Sequence, residues 1–499
     1  MKYKRLSGVL LHPTSFPGPY GIGDIGPGAR YWIDFLSSSG STLWQVLPLG
    51  PTGYGDSPYQ CFSAFAGNPL LISPIELLND DLLHPNDIIE KQTFPTERVD
   101  YGNVIPYKLG ILDRSFIRFK KRNPKEIANE FETFKEHEKH WLDDFTLFMA
   151  IKEVHGGVSW VNWPSKLRSR HPVTIKDFRK KHASTIERHA YRQFIFYRQW
   201  RKLKNYANSK NIKIIGDIPI FVAHDSADVW SHPNLFFLDK TGNPTVVAGV
   251  PPDYFSPTGQ LWGNPLYRWK EHAKNEYSWW KQRFSAVLKL VDIVRLDHFR
   301  GFAGYWEIPA SDNTAMNGKW VPGPGAEFFD KILYELGDLP ILAEDLGEIT
   351  PDVIELRDRY HFPSMKILVF AFTGDSSNKF LPHNYTQNNV VYTGTHDNDT
   401  VLGWYQRVDE KERDFARRYL ARDGNDINWD LIRAAWSSVA IFAIAPIQDL
   451  LGLDNSARMN YPSSPSGNWT WRMNPEALNE PTRKKLAELN ILYGRKPIS

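Results

Sequence analysis

The chain has 499 residues, and its 60 Lys and Arg against 57 Asp and Glu leave a formal net charge of only +3 at pH 7, which argues against a nucleic-acid-binding protein. Its single cysteine, Cys61, excludes an intrachain disulfide and a CxxC metal site and favours a reducing compartment. No apolar stretch approaches the roughly 20 residues of a membrane span, and the N-terminal apolar run is too short for a signal peptide, so we expect a cytoplasmic protein.

Eight short apolar runs, rich in β-branched residues and bounded by Gly and Pro, predict buried strands. In chain order these runs are Gly8–His12, Leu43–Leu49, Ile212–Ile218, Asp292–Asp297, Ile341–Asp345, Lys366–Phe372, Val390–His396 and Ala443–Asp449. Amphipathic helical patterns lie between most of them, for example at Asp352–Tyr360 and Glu410–Leu420. Alternating strands and helices predict parallel βα units, and eight such units predict a closed (β/α)8 barrel of the TIM type over residues 1–499.

Two connections are much longer than the few residues that usually follow a barrel strand. The first, at about 66–185 after the second strand, is predicted to be a largely helical insertion. In it, Trp141, Phe145, Phe148 and Met149 fall on one helix face. The second, at about 221–285 after the third strand, is rich in Gly, Pro and Trp. Because long insertions on a barrel usually build the substrate cleft, we expect the second to form part of it.

The chain is rich in aromatic residues, which make up 14% of it and include 18 Trp. Most of these rings are expected in the core, because aromatic side chains dominate core burial. The surplus is typical of a cleft that stacks the flat faces of sugars or bases, and the near-neutral charge favours sugars. Trp262, Trp469 and Trp471 are candidates for such stacking.

Acidic residues mark the carboxyl ends of four predicted strands, which is where the chemistry of a barrel enzyme is located. Asp217 lies in the third strand, Asp297 ends the fourth, Glu344 and Asp345 end the fifth, and Asp397 follows the seventh. Carboxylates that converge in a cleft for a neutral ligand have two main uses, glycoside chemistry or the binding of a hard metal ion. We therefore expect the barrel to be a single catalytic domain.

Cleavage of a glycosidic bond needs an ionised carboxylate and a protonated one. Arg295 and Asp297 are two residues apart on a strand and so face the same side, and the guanidinium would hold Asp297 as the anion, suited to be the nucleophile. Glu344 has no adjacent cation in the sequence and suits the proton donor. The residues alone do not decide between Glu344 and Asp345, since one step along a strand reverses the face.

An ordered set of motifs over essentially the whole chain resembles amylomaltase, the disproportionating 4-α-glucanotransferase family of the α-amylase clan. Single motifs are only moderately specific, but the ordered set is highly specific. The motifs are SGVLLHPTSFPGPYGIGD near the start, SPYQCFSAFAGNP at 57–69, GDIPIFV at 216–222, GVPPDYFSPTGQLWGNPLY at 249–267, VRLDHFRGF at 294–302, AEDLG at 343–347, TGTHDN at 393–398, ARMNYP at 457–462 and GNWTWR at 467–472.

The resemblance implies a (β/α)8 barrel that transfers α-1,4-glucan segments between maltooligosaccharides or starch- and glycogen-type glucans with retention, through a covalent intermediate. Cyclisation of long chains is a further expected reaction. The resemblance implies Asp297 as nucleophile, Glu344 as general acid/base and Asp397 as transition-state stabiliser. It places the donor sugar against Ser57, Tyr59, Asp217, Arg295 and His396, and we add Trp262 and Asn468 as substrate-binding candidates.

Two other functions stay open at this point. A plain α-glucan hydrolase would use the same cleavage with water as acceptor, and a glucan-binding scaffold would not need the acid pair. We expect the loop Gly249–Phe255 to cover the cleft and to shield the covalent intermediate from water. The oxygen ligands in a row at 397–399 leave a metal site conceivable, but the reaction needs no metal, and we expect no metal and no cofactor. The oligomeric state does not follow from the sequence.

Overall fold

A computed structural model describes residues 4–88, 93–252, 256–462, 464 and 466–496 of the chain. Within these ranges eight parallel strands close into a barrel in the order β1-β2-β3-β6-β9-β10-β11-β12, with β12 pairing back onto β1. This confirms the predicted (β/α)8 fold. The barrel strands are β1 Leu6–Leu10, β2 Leu43–Gln45, β3 Lys213–Pro219, β6 Ile293–Asp297, β9 Ile341–Ala343, β10 Ser364–Ile367, β11 Asn389–Tyr392 and β12 Phe442–Pro446.

Several strands end earlier than the apolar runs predict, because the chain turns towards the next element at the carboxyl edge of the barrel. After β10 the residues Leu368–Phe370 form a 3-10 turn, although they continue the apolar run. After β11 the chain leaves the ladder at Thr393, so His396 and Asp397 lie on a loop and not on a strand. Pro446 ends β12, since proline cannot donate to the ladder and suits the start of the helix that follows.

The helices surround the barrel and fill the connections. In the described residues they are α1 Pro27–Ser38, α2 Pro74–Asn79, α3 Tyr101–Arg122, α4 Lys125–His137, α5 Lys139–Val154, α6 Ser165–Arg168, α7 Pro172–Lys181, α8 Ala183–Ser209, α9 Ala227–Ser231, α10 Trp269–Lys274, α11 Ser278–Leu290, α12 Gly325–Leu336, α13 Pro351–Arg359, α14 Val401–Arg407, α15 Glu410–Leu420, α16 Ile427–Ser437, α17 Ile447–Leu450 and α18 Glu480–Leu492. None of these described helices has both the length and the apolar character that crossing a membrane would need.

The connection from β2 to β3 contains the helices α2 to α8. Its apolar pattern has the expected effect on α5, where Trp141, Phe145 and Phe148 are buried and Met149 is half-buried. The division of the chain at 66–185 stays a prediction, since α8 continues beyond it and leads directly into β3.

The connection from β3 to β6 contributes two strands to a small antiparallel sheet that the sequence analysis did not predict. The sheet has the order β5-β4-β7-β8, and its other two strands follow β6. Its strands are β4 Val246–Val250, β5 Gln260–Pro265, β7 Gly304–Pro309 and β8 Lys319–Pro322. The sheet therefore ties the second insertion to the segment that follows Asp297.

Candidate active site

The register of β3 and β6 brings the first charged groups together. Asp217 is the pairing partner of Arg295, and Pro219 is that of Asp297, so the carboxyl ends of these strands lie side by side. Arg295 Nη1 lies 2.5 Å from Asp217 Oδ2 and 2.9 Å from Asp297 Oδ1. The Arg295 side chain is 5% exposed, so a buried guanidinium lies between the two carboxylates. Burial lowers the pKa of Arg295, but the carboxylates of Asp217 and Asp297 outweigh it and raise the pKa well above its usual value.

Tyr59 completes this network from the long β2–β3 connection. Its hydroxyl donates to Asp217 Oδ2 over 2.7 Å, and its ring stacks on the ring of His396 with centroids 5.0 Å apart. Burial and the Asp217 carboxylate raise the pKa of Tyr59 well above its usual value, so the phenol keeps its proton as a donor. Trp469 lies beside both rings, with centroids 5.8 Å from Tyr59 and 5.9 Å from His396.

The two carboxyl groups of the predicted catalytic pair lie in different surroundings. Burial raises the pKa of Asp297 to about 6, and Arg295 acts in the opposite direction. Burial raises the pKa of Glu344 to about 7, where Arg295 lowers it and the Asp297 carboxylate raises it. Asp297 keeps 27% exposure and touches the guanidinium directly, so it loses its proton more readily than Glu344. The order of the two pKa values is the one that the sequence predicts, although burial raises both.

The structure also separates Glu344 from its neighbour Asp345, which the residues alone could not do. Glu344 accepts hydrogen bonds from the backbone N–H groups of His298, at 2.6 Å, and Leu346, at 2.9 Å. Asp345 is buried on the other side of the strand end, where it forms an ion pair with Arg357 at 2.6 Å. It also accepts from Ser364 Oγ and from the backbone N–H of Met365. Glu344 is therefore held at the backbone of His298, the residue after Asp297, where it feels the Asp297 charge, and Asp345 joins β9 to β10.

His298 is a site residue that the sequence analysis missed. It follows Asp297 in a left-handed conformation with φ +53°, and this conformation directs its backbone N–H towards Glu344. Its half-buried ring packs edge-on against Trp262, with centroids 4.8 Å apart, and burial lowers the pKa of the ring to about 3. The motif VRLDHFRGF contains the residue, but nothing in the residue pattern marks it as left-handed.

The segment after β11 brings Asp397 to the same edge of the barrel. His396 Nε2 lies 3.3 Å from Asp397 Oδ2, and the side-chain amide of Asn460 donates to Asp397 Oδ1 over 2.6 Å. Burial alone would raise the pKa of Asp397, but His396 and Asn460 outweigh it and lower the pKa below its usual range. The Asp397 side chain is 49% exposed, so the carboxylate is charged and accessible to a ligand.

Three further predicted substrate-binding residues lie at or near this cluster. Ser57 Oγ accepts from the backbone N–H of Tyr59 over 3.2 Å. Trp262 is half-buried on β5. The amide of Asn468 is engaged within its own loop, where its oxygen accepts from the backbone N–H of Tyr461 at 2.8 Å and its nitrogen donates to Ser464 O at 2.9 Å. A contact of Asn468 with substrate stays a prediction.

The row of oxygen ligands at 397–399 does not point to one common centre. Asn398 Oδ1 accepts from the backbone N–H and hydroxyl of Thr395. Asp399 Oδ1 accepts from Asn455 Nδ2 over 2.8 Å, and its other oxygen lies 3.2 Å from an Arg407 guanidinium nitrogen. Across the described parts of the chain, no three His, Cys, Asp or Glu side chains are grouped so that they could hold a metal ion.

The closed parallel barrel, with a buried arginine and carboxyl groups of unequal pKa at its carboxyl edge, defines the chain as a barrel enzyme of the carbohydrate-active class. Comparison with known proteins identifies the family. A 4-alpha-glucanotransferase family model matches residues 11–479. The 4-alpha-glucanotransferase of Synechocystis is 50% identical over 497 residues, 99% of this chain and 98% of the relative. That of Thermus thermophilus is 51% identical over 487 residues, 96% of this chain and 97% of the relative.

A solved structure agrees with these relatives. The amylomaltase from Streptococcus agalactiae in complex with acarbose superposes with a TM-score of 0.95 at 41% identity, covering 99% of this chain and 100% of that one. The chain belongs to the 4-alpha-glucanotransferase family and is an enzyme of this activity. The resemblance that the sequence motifs indicate is therefore confirmed.

Proposed function

We propose that this enzyme transfers α-1,4-glucan segments with retention of configuration, through a covalent glycosyl-enzyme intermediate on Asp297. The donors and acceptors are maltooligosaccharides and starch- or glycogen-type glucans, and long chains are also cyclised. The observation that carries the proposal is the asymmetry of the acid pair. Asp297 is in contact with the Arg295 guanidinium, whereas Glu344 accepts hydrogen bonds from the backbone N–H groups of His298 and Leu346 and has the higher pKa.

In the first step, a carboxylate oxygen of Asp297 attacks the anomeric carbon of the donor sugar as the glycosidic C–O bond breaks. Glu344 transfers its proton to the leaving oxygen, which becomes a free 4-hydroxyl on the departing fragment. In the second step, the 4-hydroxyl of an acceptor glucan attacks the same carbon, and Glu344 takes its proton. The bond to Asp297 breaks and the carboxylate is restored, so the net reaction exchanges one glycosidic bond for another.

We assign the remaining residues of the cluster to the sugar at the bond being cut. Asp397 and His396 bind its hydroxyl groups, and the charge of Asp397 stabilises the positive charge that develops in the transition state. Arg295 and Asp217 hold the other side of the same sugar. We further propose Ser57 and Tyr59 as donor-site contacts, and Trp262 and Asn468 as substrate-binding residues. The proposal requires no metal ion and no cofactor.

Transfer rather than hydrolysis requires that water be kept from the intermediate. The predicted covering loop, Gly249–Phe255, begins in β4, and its residues 253–255 lie outside the described residues. We propose that this loop, together with the insertion at about 221–285, covers the acceptor side of the cleft. Shortening the loop should raise the ratio of hydrolysis to transfer, and an unchanged ratio would reject this role. We also place the enzyme in the cytoplasm.

A glycosyl fluoride tests the covalent mechanism, because fluoride leaves without an acid. With α-maltosyl fluoride, the Glu344→Gln variant should complete the first step and accumulate an adduct, since it lacks the base for the second. Mass spectrometry of the intact protein should show one added maltosyl group, and a peptide digest should place it on Asp297. Asp297→Asn should show no adduct. Asp345→Asn is the matched control and should turn over without accumulating one.

The proposed reaction also predicts the products from maltotriose as sole substrate. A transferase yields glucose together with longer maltooligosaccharides, a hydrolase yields only shorter products, and a binding scaffold yields nothing. NMR should show the α-anomer at each new linkage. A β-linked first product, or the absence of any adduct on Glu344→Gln, would refute the double displacement while leaving the family membership intact.

A further inference from the structure

The segment 396–399, which carries Asp397, is fastened from outside by a second loop. We call the described residues 455–462 and 466–469 the C-terminal loop. It follows α17 and lies across the carboxyl edge of the barrel. Three of its side chains meet three residues of the segment. The contacts are Asn455 Nδ2 with Asp399 Oδ1 at 2.8 Å, Asn460 Nδ2 with Asp397 Oδ1 at 2.6 Å, and the rings of Trp469 and His396 with centroids 5.9 Å apart.

Asn460 is the member of this loop that contacts the carboxylate of Asp397. Its own orientation is fixed through Arg458, whose Nε donates to the backbone oxygen of Asn460 over 2.7 Å. Arg458 Nη2 also donates to the backbone oxygen of Asp397 over 2.6 Å. One guanidinium thus binds the backbones of both residues, and the amide and the carboxylate face each other at a fixed separation.

Asp397 needs such a contact because its side chain is half exposed and lies on a loop. His396 Nε2 approaches one carboxylate oxygen at 3.3 Å, which leaves the rotation of the group loosely defined. The hydrogen bond from Asn460 to the other oxygen is shorter and is assisted by the carboxylate charge. Together the two contacts restrict the plane of the carboxylate, and Asn460 supplies the tighter restraint.

We propose that Asn460 is a positioning residue for the transfer reaction, holding the Asp397 carboxylate in the orientation that the transferred sugar requires. This inference rests on the role of Asp397 given under Proposed function. An amide suits the task because it donates a hydrogen bond and carries no charge of its own. A carboxylate of the same shape would repel Asp397 at neutral pH and could replace the amide only when one proton is shared between the two.

Substitution of Asn460 by Ala should therefore reduce kcat, while the fold and ground-state binding are kept. We expect kcat for maltotriose to fall roughly 10- to 100-fold, because one charge-assisted hydrogen bond is lost. KM should change less than about twofold. The matched control is Tyr461→Phe. It removes a hydroxyl that holds the same loop through Asn455, at 2.8 and 2.9 Å, but does not touch Asp397. Its kcat should stay close to that of the unmodified enzyme.

Substitution of Asn460 by Asp provides a second test through the kcat–pH profile, which a change in loop stability alone would not shift. Below the pKa of the new pair, the protonated Asp at position 460 donates to Asp397, and activity is retained. Above it, both groups are charged and the orientation is lost, so the basic limb of the kcat–pH profile should lie at lower pH than in the unmodified enzyme. The titratable and charged groups that face Asp397 are the same in both proteins, so their influence on the pH profile cancels in this comparison. These groups are His396, Arg295, Asp297, Tyr59 and Arg458.

The Asp397→Asn variant separates failure of this inference from failure of the proposed function. If Asp397→Asn loses activity while Asn460→Ala keeps the kcat of the unmodified enzyme, only the inference is overturned. If Asp397→Asn keeps its activity, the role of Asp397 and the inference fall together. Equal losses of kcat in Asn460→Ala and Tyr461→Phe, with a basic limb unmoved in Asn460→Asp, would show that the loop is merely structural and would also overturn it. Circular dichroism and thermal unfolding establish that each variant is folded.

Discussion

Replacing Arg295 with Met would leave two carboxylates at the carboxyl edge of the barrel without the cation that now lies between them. Arg295 Nη1 is 2.5 Å from Asp217 and 2.9 Å from Asp297, and the guanidinium is 5% exposed. Removing one partner of a buried ion pair costs about 3–5 kcal/mol. Asp297 is 27% exposed, which reduces its share, so the lower part of that range applies. This cost falls on the free energy of unfolding. Removing one preorganised electrostatic group from an active site separately lowers the rate by roughly 10²- to 10³-fold, and we expect kcat/KM to fall by that order.

The same substitution should change the pH dependence in a definite direction. Burial raises the pKa of Asp297 to about 6, and Arg295 opposes that shift. Without the guanidinium the pKa rises further, so Asp297 is protonated over more of the neutral range and cannot attack. The acid limb of the kcat/KM–pH profile should therefore move to higher pH in Arg295→Met. Arg295→Lys keeps a positive charge at this position, so its acid limb should stay close to that of the unmodified enzyme although its kcat/KM is reduced.

Glucose release from maltotriose, followed by a coupled assay across the acid and neutral range, measures both effects in one experiment. The two variants should separate in the position of the acid limb, and thermal unfolding should show that both are folded. An acid limb that stays in place in Arg295→Met, despite a large loss of kcat/KM, would show that Arg295 binds sugar without setting the charge of Asp297. Equal shifts in the Lys and Met variants would refute the electrostatic argument as well.

Three other substitutions and one treatment have the following expected outcomes. Tyr59→Phe removes the hydroxyl that donates to Asp217 over 2.7 Å but keeps the ring, and kcat/KM for maltotriose should fall about tenfold; a value equal to that of the unmodified enzyme would mean that the bond is dispensable. Asp345→Asn weakens the buried pair with Arg357 and should lower the thermal unfolding midpoint while kcat at room temperature is kept, so a large loss of kcat would contradict its structural role. Arg495→Met removes a fully buried guanidinium that donates to five backbone carbonyls, and the half-life of activity at elevated temperature should shorten strongly. Incubation with a chelator should leave kcat unchanged, and a loss of kcat would mean that the reaction needs a metal ion.

The sequence predicts the charged residues at the strand ends well, because their placement follows from short-range rules. Apolar runs locate the barrel strands, and the carboxyl ends of parallel strands share one edge. The two-residue spacing of Arg295 and Asp297 places both on the same face, and the structure has them 2.9 Å apart. Strand ends are predicted less well, because the apolar run at Lys366–Phe372 continues into a 3-10 turn. An apolar pattern alone does not distinguish these two conformations.

The residues that orient the catalytic groups could not be predicted, because their positions depend on contacts between residues far apart in the chain and on backbone conformation. Asn460 and Asp397 are 63 residues apart, and no spacing rule connects them. His298 has a left-handed backbone although its residue type does not require one. The choice between Glu344 and Asp345 depends on where β9 leaves the ladder, one residue before the pair. Each of these features needs the three-dimensional register of the barrel.

Asp297 and Glu344 should therefore respond differently to substitution. The charge of Asp297 depends on a side chain, Arg295, whereas the position of Glu344 depends on the backbone N–H groups of His298 and Leu346. A substitution at Arg295 can change the charge of Asp297 and leave the position of Glu344 nearly unchanged. The position of Glu344 is kept only while the residue at position 298 accepts a positive φ. Gly or Asn at 298 should preserve the proton donor better than a β-branched residue, since the latter is strained in that conformation. Because the Trp262 ring packs on the His298 ring, substitution of Trp262 should also disturb the backbone N–H that Glu344 accepts.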